Sequence, residues 1–238
     1  SVYNSIITSI FHLPYSPTPL LPHSLTPNYN NKYSTGFDIM TQVLYRTSFS
    51  DFDEFINWYP EQSEYHYELH NGVVTQMPKP RGQHSQIAGF LMAELSLEIR
   101  HSGSPYFIPK ECIFKTDNLS GYEPDVIVVN RDFIQNEPRW EKESTLINSQ
   151  SIKLVIEVVS SNWSDDYPLK LDAYEIMGIK EYWIVDYLGL GGRKFIGYPK
   201  QPTFTVNTLE NGEYKSTQFK EKQLIQSSIF PELKLTVE

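Results

Sequence analysis

The chain reads as an α/β fold, a mixed β-sheet with helices packed against it. Three features of the sequence point there. Residues 152–159 form an almost continuous apolar, β-branched run, the pattern of a strand buried on both faces. A polar turn, a helical stretch stopped by Gly178 and a second apolar strand over residues 182–185 follow it with short joints, which makes a βαβ-type unit. Upstream, a long amphipathic helix over residues 83–101 precedes three strand-like runs. The order from residue 83 to residue 187 is therefore helix, strand, strand, strand, helix, strand.

The elements follow from local chemistry. Residues 1–39 carry Pro14, Pro17, Pro19, Pro22 and Pro27, many small polar residues and only two charges, Lys32 and Asp38. No hydrophobic period holds there, so they are expected to be a disordered N-terminal extension, with residues 40–238 as a single domain. Ser50 or Asp51 can cap a short helix running to Trp58, with Phe52, Phe55 and Ile56 on one face. Residues 65–69 and 73–77 flank His70-Asn71-Gly72, a hairpin signal. The long helix should turn Ile87, Phe90, Leu91, Leu95 and Ile99 inward.

Residues 106–116 read as one strand, 117–121 as a turn, and 125–129 as a short buried strand entered through Pro124. The polar segment 131–150 reads as a surface insertion. After the turn at 160–166, Leu169, Ala173, Ile176 and Met177 recur at helical spacing as the apolar stripe, with Lys170 on its flank, one turn from Asp166 and Tyr174. Gly189, Gly191 and Gly192 make a corner. Residues 194–199, 203–209 and 214–219 read as an antiparallel extension with Asn211-Gly212 as one turn, and residues 231–237 as a closing strand or tail.

Composition narrows the function. At 238 residues and 39 % hydrophobic, the chain can bury a full core. A net charge of −9 argues against nucleic-acid binding driven by bulk positive charge, but leaves open an acidic site that meets phosphate through a metal. Cys112 is the single cysteine, so no disulfide or thiolate zinc cluster can form within the chain. No apolar run approaches the roughly 20 residues of a membrane span. A cytoplasmic, soluble protein is the default expectation.

Two carboxylates stand out. Glu157 interrupts the buried strand, where a carboxylate costs several kcal/mol unless it is paired or binds a cation. Asp125 sits at the mouth of another buried strand. If the two strands are neighbours, their carboxylates repel, which raises one pKa or recruits a divalent ion. Oxygen donors alone suit a hard ion, Mg²⁺ or Mn²⁺. A nearby Lys170 could orient or acidify a water, or offset phosphate charge.

The same residues resemble the PD-(D/E)XK nuclease superfamily and, within it, the bacterial Uma-two family, whose members are classed with restriction endonucleases. The resemblance rests on Tyr67-Glu68-Leu69 with its Asn71-Gly72 turn, His84 at the start of the long helix, and Glu123-Pro124-Asp125-Val126. It continues through Ile156-Glu157-Val158-Val159-Ser160, Lys170 followed by Tyr174, Gly178, and Glu181-Tyr182-Trp183-Ile184-Val185-Asp186.

The resemblance implies a restriction-endonuclease-like core with an N-terminal hairpin and a C-terminal antiparallel β extension. It further implies a metal-dependent endonuclease acting on DNA, with a homodimer as an open option. Asp125, Glu157 and the Val158 carbonyl would hold Mg²⁺ or Mn²⁺. Lys170 would assist the attacking water and Glu68 would support the site, with His84 and Tyr174 as further candidates. The superfamily pattern places its lysine two residues after the glutamate, where this chain has Val159, so the resemblance implies a lysine migrated to the following helix.

Each residue also has a structural reading. Glu157 could pair with an arginine, and Asp125 could cap a turn. Lys170 could face water, and Glu68 could be a hairpin edge residue. His84 could bind its own helix backbone, and Tyr174 could only pack. At the level of function, a catalytically degenerate nucleic-acid- or partner-binding domain is the main alternative, and a carboxylate-pair sugar hydrolase is another.

Overall fold

The computed structural model describes residues 48–60, 63, 65–77, 79–161 and 163–237. The extension expected over residues 1–39 lies outside them. The described chain builds two sheets. Helix α1, Phe52–Trp58, is capped by the Asp51 side chain, which accepts from the Glu54 N–H at 2.8 Å. Strands β1, His66–His70, and β2, Val73–Met77, form the hairpin. Asn71 and Gly72 both take positive φ, 49° and 78°, which is what the two-residue turn demands.

Helix α2, Gly82–Ser102, precedes β3, Tyr106–Phe107, and β4, Ile113–Asp117. Strands β5, Ser120–Tyr122, and β6, Val126–Asn130, come next. Short helices α3, Arg131–Ile134, and α4, Trp140–Glu143, lead to β7, Thr145–Leu146, and β8, Ile152–Val158. A π-helical turn, Asp165–Leu169, runs into α5, Lys170–Met177, and then β9, Glu181–Asp186. The chain ends with α6, Arg193–Ile196, β10, Thr203–Glu210, β11, Glu213–Phe219, and a buried tail.

The larger sheet has the order β11-β10-β9-β8-β6-β3, and the smaller β2-β1-β5-β4-β7. Strands β8 and β9 pair in parallel around α5, as the βαβ reading requires. Strands β6 and β8 pair antiparallel, with Val126 opposite Ile156. One face of the larger sheet packs on Ile87, Leu91 and Leu95 of α2 and is closed by Phe230, Leu233, Leu235 and Val237 of the tail. The other face packs through Val155 and Tyr182, together with Tyr174 of α5, against Phe114 and Tyr122 of the smaller sheet. No helix among the described residues is long and apolar enough to cross a membrane.

Four local expectations are corrected. The single strand expected over 106–116 is two strands in two sheets: β3 pairs with β6 and β4 with β5, and Pro109 lies in the break between them. The supposed surface insertion at 131–150 contributes β7, which pairs in parallel with β4, and Glu137 is buried where it accepts the Ile147 and Asn148 N–H groups. Part of the expected strand 194–199 is helix α6 instead.

The fourth correction bears on the site. Ile176 is 83 % exposed and Leu169 is also exposed, while Lys170 and Tyr174 are the buried residues of α5. The wider π turn before Lys170, which contains Pro168, shifts the phase of the following helix. The buried carboxylates also reward a cation on the inner face.

Candidate active site

The site forms where β1, the start of β6, the end of β8 and the first turn of α5 meet. Extending the β6–β8 register one pair beyond Val126 and Ile156 puts Asp125 beside Glu157. The two expected carboxylates are therefore neighbours across adjacent strands. Strand alternation sends Leu154, Ile156 and Val158 to the α2 side, and Val155 and Glu157 toward α5. Parity thus aims Glu157 into the space between the sheets.

Lys170 fills that space. Its ammonium donates to Glu157 Oε1 at 3.0 Å and to Glu68 Oε1 at 3.1 Å, and lies 3.9 Å from Asp166 Oδ1. It also lies 5.4 Å from the Tyr122 ring centre. Tyr174 donates to Glu157 Oε1 at 3.0 Å, so one oxygen of Glu157 takes both bonds. Glu68 is buried on the middle of the hairpin's inner strand and accepts the Glu123 N–H at 3.1 Å as well, which makes it a bridge rather than an edge residue. Lys153, the other lysine of the β8 region, is turned away over the Phe133 ring.

Asp125 is held separately. Its Oδ2 accepts the Val158 N–H at 2.7 Å and contacts His84 Nε2 at 3.2 Å. His84 therefore serves Asp125 and the Val158 backbone rather than capping its own helix. Its Nδ1 is buried without a hydrogen-bond partner among the described residues. Burial disfavours the imidazolium, but Asp125, the Val158 backbone and Asp166 outweigh it and raise the His84 pKa.

The electrostatics follow from one buried cation among several carboxylates. Burial pushes the Glu157 carboxyl well above its usual range; Lys170 opposes this, while Asp125, Asp166 and Glu68 add to it. Burial alone would lower the Lys170 pKa, but Glu157, Glu68 and Asp166 reverse this and keep the group an ammonium. Burial raises Asp166 to about 7, again against Lys170 and with Asp125 and Glu68. Burial and the nearby Glu68 push Tyr122 up to about 12.

The structure thus brings Glu68, Glu157, Lys170 and Tyr174 into one hydrogen-bonded cluster, with Asp125, Val158 and His84 alongside. It adds Asp166, absent from the expected set. The signal in the sequence is the Asp166–Lys170 spacing of one helical turn. Carboxylates paired with a buried lysine count against a sugar hydrolase.

The donor set fits a hard divalent ion. Glu157 Oε2 and Asp125 Oδ1 accept no hydrogen bond from the described residues, so each keeps lone pairs for a cation beside the Val158 backbone. Among the described residues, no group of three or more His, Cys, Asp or Glu side chains is placed to hold a metal. An ion there would rest on the two carboxylates and the backbone carbonyl.

Comparison with known proteins agrees with this architecture. Residues 52–238 match the model of the Uma2 family, described as "Putative restriction endonuclease". A solved structure of a "putative nuclease belonging to DUF820" from Anabaena variabilis ATCC 29413 is similar in fold, with a TM-score of 0.53 at 20 % identity, over 78 % of this chain and 93 % of that one. No curated protein matches.

Proposed function

Because the chain belongs to the Uma2 family, we propose that it is a metal-dependent endonuclease that hydrolyses DNA phosphodiester bonds. The observation that carries this reading is the buried Glu68–Lys170–Glu157 cluster beside Asp125, assembled from four separate elements. Such a cluster is expensive as a purely structural device, since desolvating each ion costs several kcal/mol.

Asp125, Glu157 and the Val158 carbonyl would hold Mg²⁺ or Mn²⁺. When bound, that ion supplies Lewis-acid polarisation of a phosphoryl oxygen. The remaining roles belong to side chains. Lys170 offers a positioned ammonium against the charge that develops on the phosphate oxygens. Glu68 and Glu157 fix where that ammonium points, and Tyr174 fixes Glu157. His84 and the Val158 N–H orient Asp125, leaving its second oxygen free.

The test is cleavage of supercoiled plasmid by purified protein with Mg²⁺, Mn²⁺ or EDTA. Nicking or linearisation with the metals and none with EDTA is expected. A catalytically degenerate binding domain is the second reading, favoured by the lack of a three-side-chain metal cluster among the described residues. Metal-independent retention of DNA without any cleavage would select it.

A further inference from the structure

Lys170 cannot be the group that takes a proton from water. Its ammonium already donates to Glu68 and Glu157, and both bonds favour the charged form. Hydrolysis still needs an acceptor for the proton of the attacking water. Glu68, Glu157 and Asp166 surround the lysine, Asp125 lies beside Glu157, and all but Asp166 are committed. Glu68 accepts from Glu123 and Lys170, Glu157 from Lys170 and Tyr174, and Asp125 from Val158 with His84 beside it.

Asp166 is different. Its side chain accepts no hydrogen bond from the described residues, and it stands 3.9 Å from Lys170. It is also the most open of the three carboxylates against the lysine: 11 % of its side chain is exposed, against 9 % for Glu68 and 5 % for Glu157. Its backbone is anchored where its carbonyl accepts the Tyr182 hydroxyl at 2.9 Å. It sits on the π turn, a feature frequent at functional sites.

We propose, resting on the nuclease reading above, that Asp166 is a catalytic residue, the base that accepts the proton of the attacking water. A water lone pair forms the new O–P bond, and one water proton passes to an Asp166 carboxylate oxygen. The P–O bond to the leaving sugar oxygen breaks with its electron pair, and that oxygen takes a proton from the Lys170 ammonium. Asp166 then returns its proton, relayed through one water across the 3.9 Å gap, to the Lys170 amine, which restores both groups. The net reaction consumes one water and yields a phosphomonoester and a hydroxyl end.

The surroundings suit the task. Glu68 on β1, Asp125 before β6, Glu157 on β8 and the adjacent Asp165 present negative charge, while Lys170 on α5 and His84 on α2 oppose it. Burial and those carboxylates place the Asp166 titration at about 7, near the pH at which a general base works best.

The experiment is single-turnover plasmid cleavage with Mn²⁺ from pH 5 to 9 by wild type, Asp166→Asn and Asp166→Glu, with thermal melting of each. The wild-type rate should rise with pH and level off above about 7. Asp166→Asn should lose that limb and cut about 10²-fold more slowly. Asp166→Glu should recover the limb and part of the rate. A folded Asp166→Asn protein that keeps both rate and limb overturns the assignment, as does an Asp166→Glu protein as slow and as flat as the Asn variant. A wild type that cuts no DNA with Mn²⁺ at any pH overturns the nuclease reading, and this role with it.

Discussion

Lys170 donates to Glu68 at 3.1 Å across 102 residues of sequence, and this bond ties the smaller sheet to the helix that covers the larger one. The same ammonium bonds Glu157 at 3.0 Å. On the proposed reading, structure and chemistry share one buried cation.

That sharing makes Lys170→Met a structural change as well as a chemical one. It strands Glu68 and Glu157 in a buried space, and breaking a buried pair from one side costs about 3–5 kcal/mol. Denaturant unfolding should show a loss of that order. Lys170→Met combined with Glu157→Gln should be less destabilised than Lys170→Met alone, because a neutral amide no longer needs the cation. Additive losses in the double variant would mean the pair is not coupled.

Metal binding can be read without cleavage. A ligand that binds only the folded state stabilises it by about 2.7 kcal/mol at 100 times its Kd. Saturating Mg²⁺ or Mn²⁺ should therefore raise the melting temperature of wild type, and Asp125→Asn should abolish most of the rise. Equal shifts in the two proteins would exclude Asp125 as a ligand.

Stability should depend on pH through Asp166. Its carboxyl is raised from an ordinary value of 3.8 to about 7, so the folded state holds the proton more tightly than the unfolded chain. The stabilisation is complete below the unfolded value and is lost as pH rises through about 7. Wild type should melt at a lower temperature at pH 8.5 than at pH 5.5. Asp166→Asn should show a smaller drop over the same window, and identical drops in both would contradict the shift.

Glu181 supports a prediction far from the site. It is fully buried and accepts from the Trp183 indole at 2.7 Å, the Ser227 hydroxyl at 2.5 Å, and the Ser228 N–H and hydroxyl at 2.7 and 2.5 Å. It thereby pins the tail whose Phe230, Leu233, Leu235 and Val237 close the core against α2. Glu181→Ala leaves buried donors unpaired, at about 1–3 kcal/mol each. Limited proteolysis should then cut first near residues 220–237, and unchanged resistance there would show that apolar packing alone holds the tail.

Short-range chemistry was enough to read the helix cap, the tight turns and the long helix. Asp51 accepts the N–H that its helix start leaves open, Asn71-Gly72 and Asn211-Gly212 adopt the positive φ of their turns, and Ile87, Leu91 and Leu95 bury one face of α2. Each depends on residues within a few positions of one another, so the pattern is local. The buried Glu157 was legible for the same reason, since a charge inside an apolar strand needs an explanation wherever the strand sits.

Long-range packing settled the rest. Hydrophobic spacing placed Ile176 inward and Lys170 on a flank, but the π turn rotated α5, and the carboxylates of β1 and β8 drew Lys170 into the core. The chain between β3 and β4 divides between two sheets because their pairing partners, β6 and β5, belong to different layers. Asp166 stands beside the cluster for a related reason: the cation it faces, Lys170, is held in the core by carboxylates from strands distant in sequence.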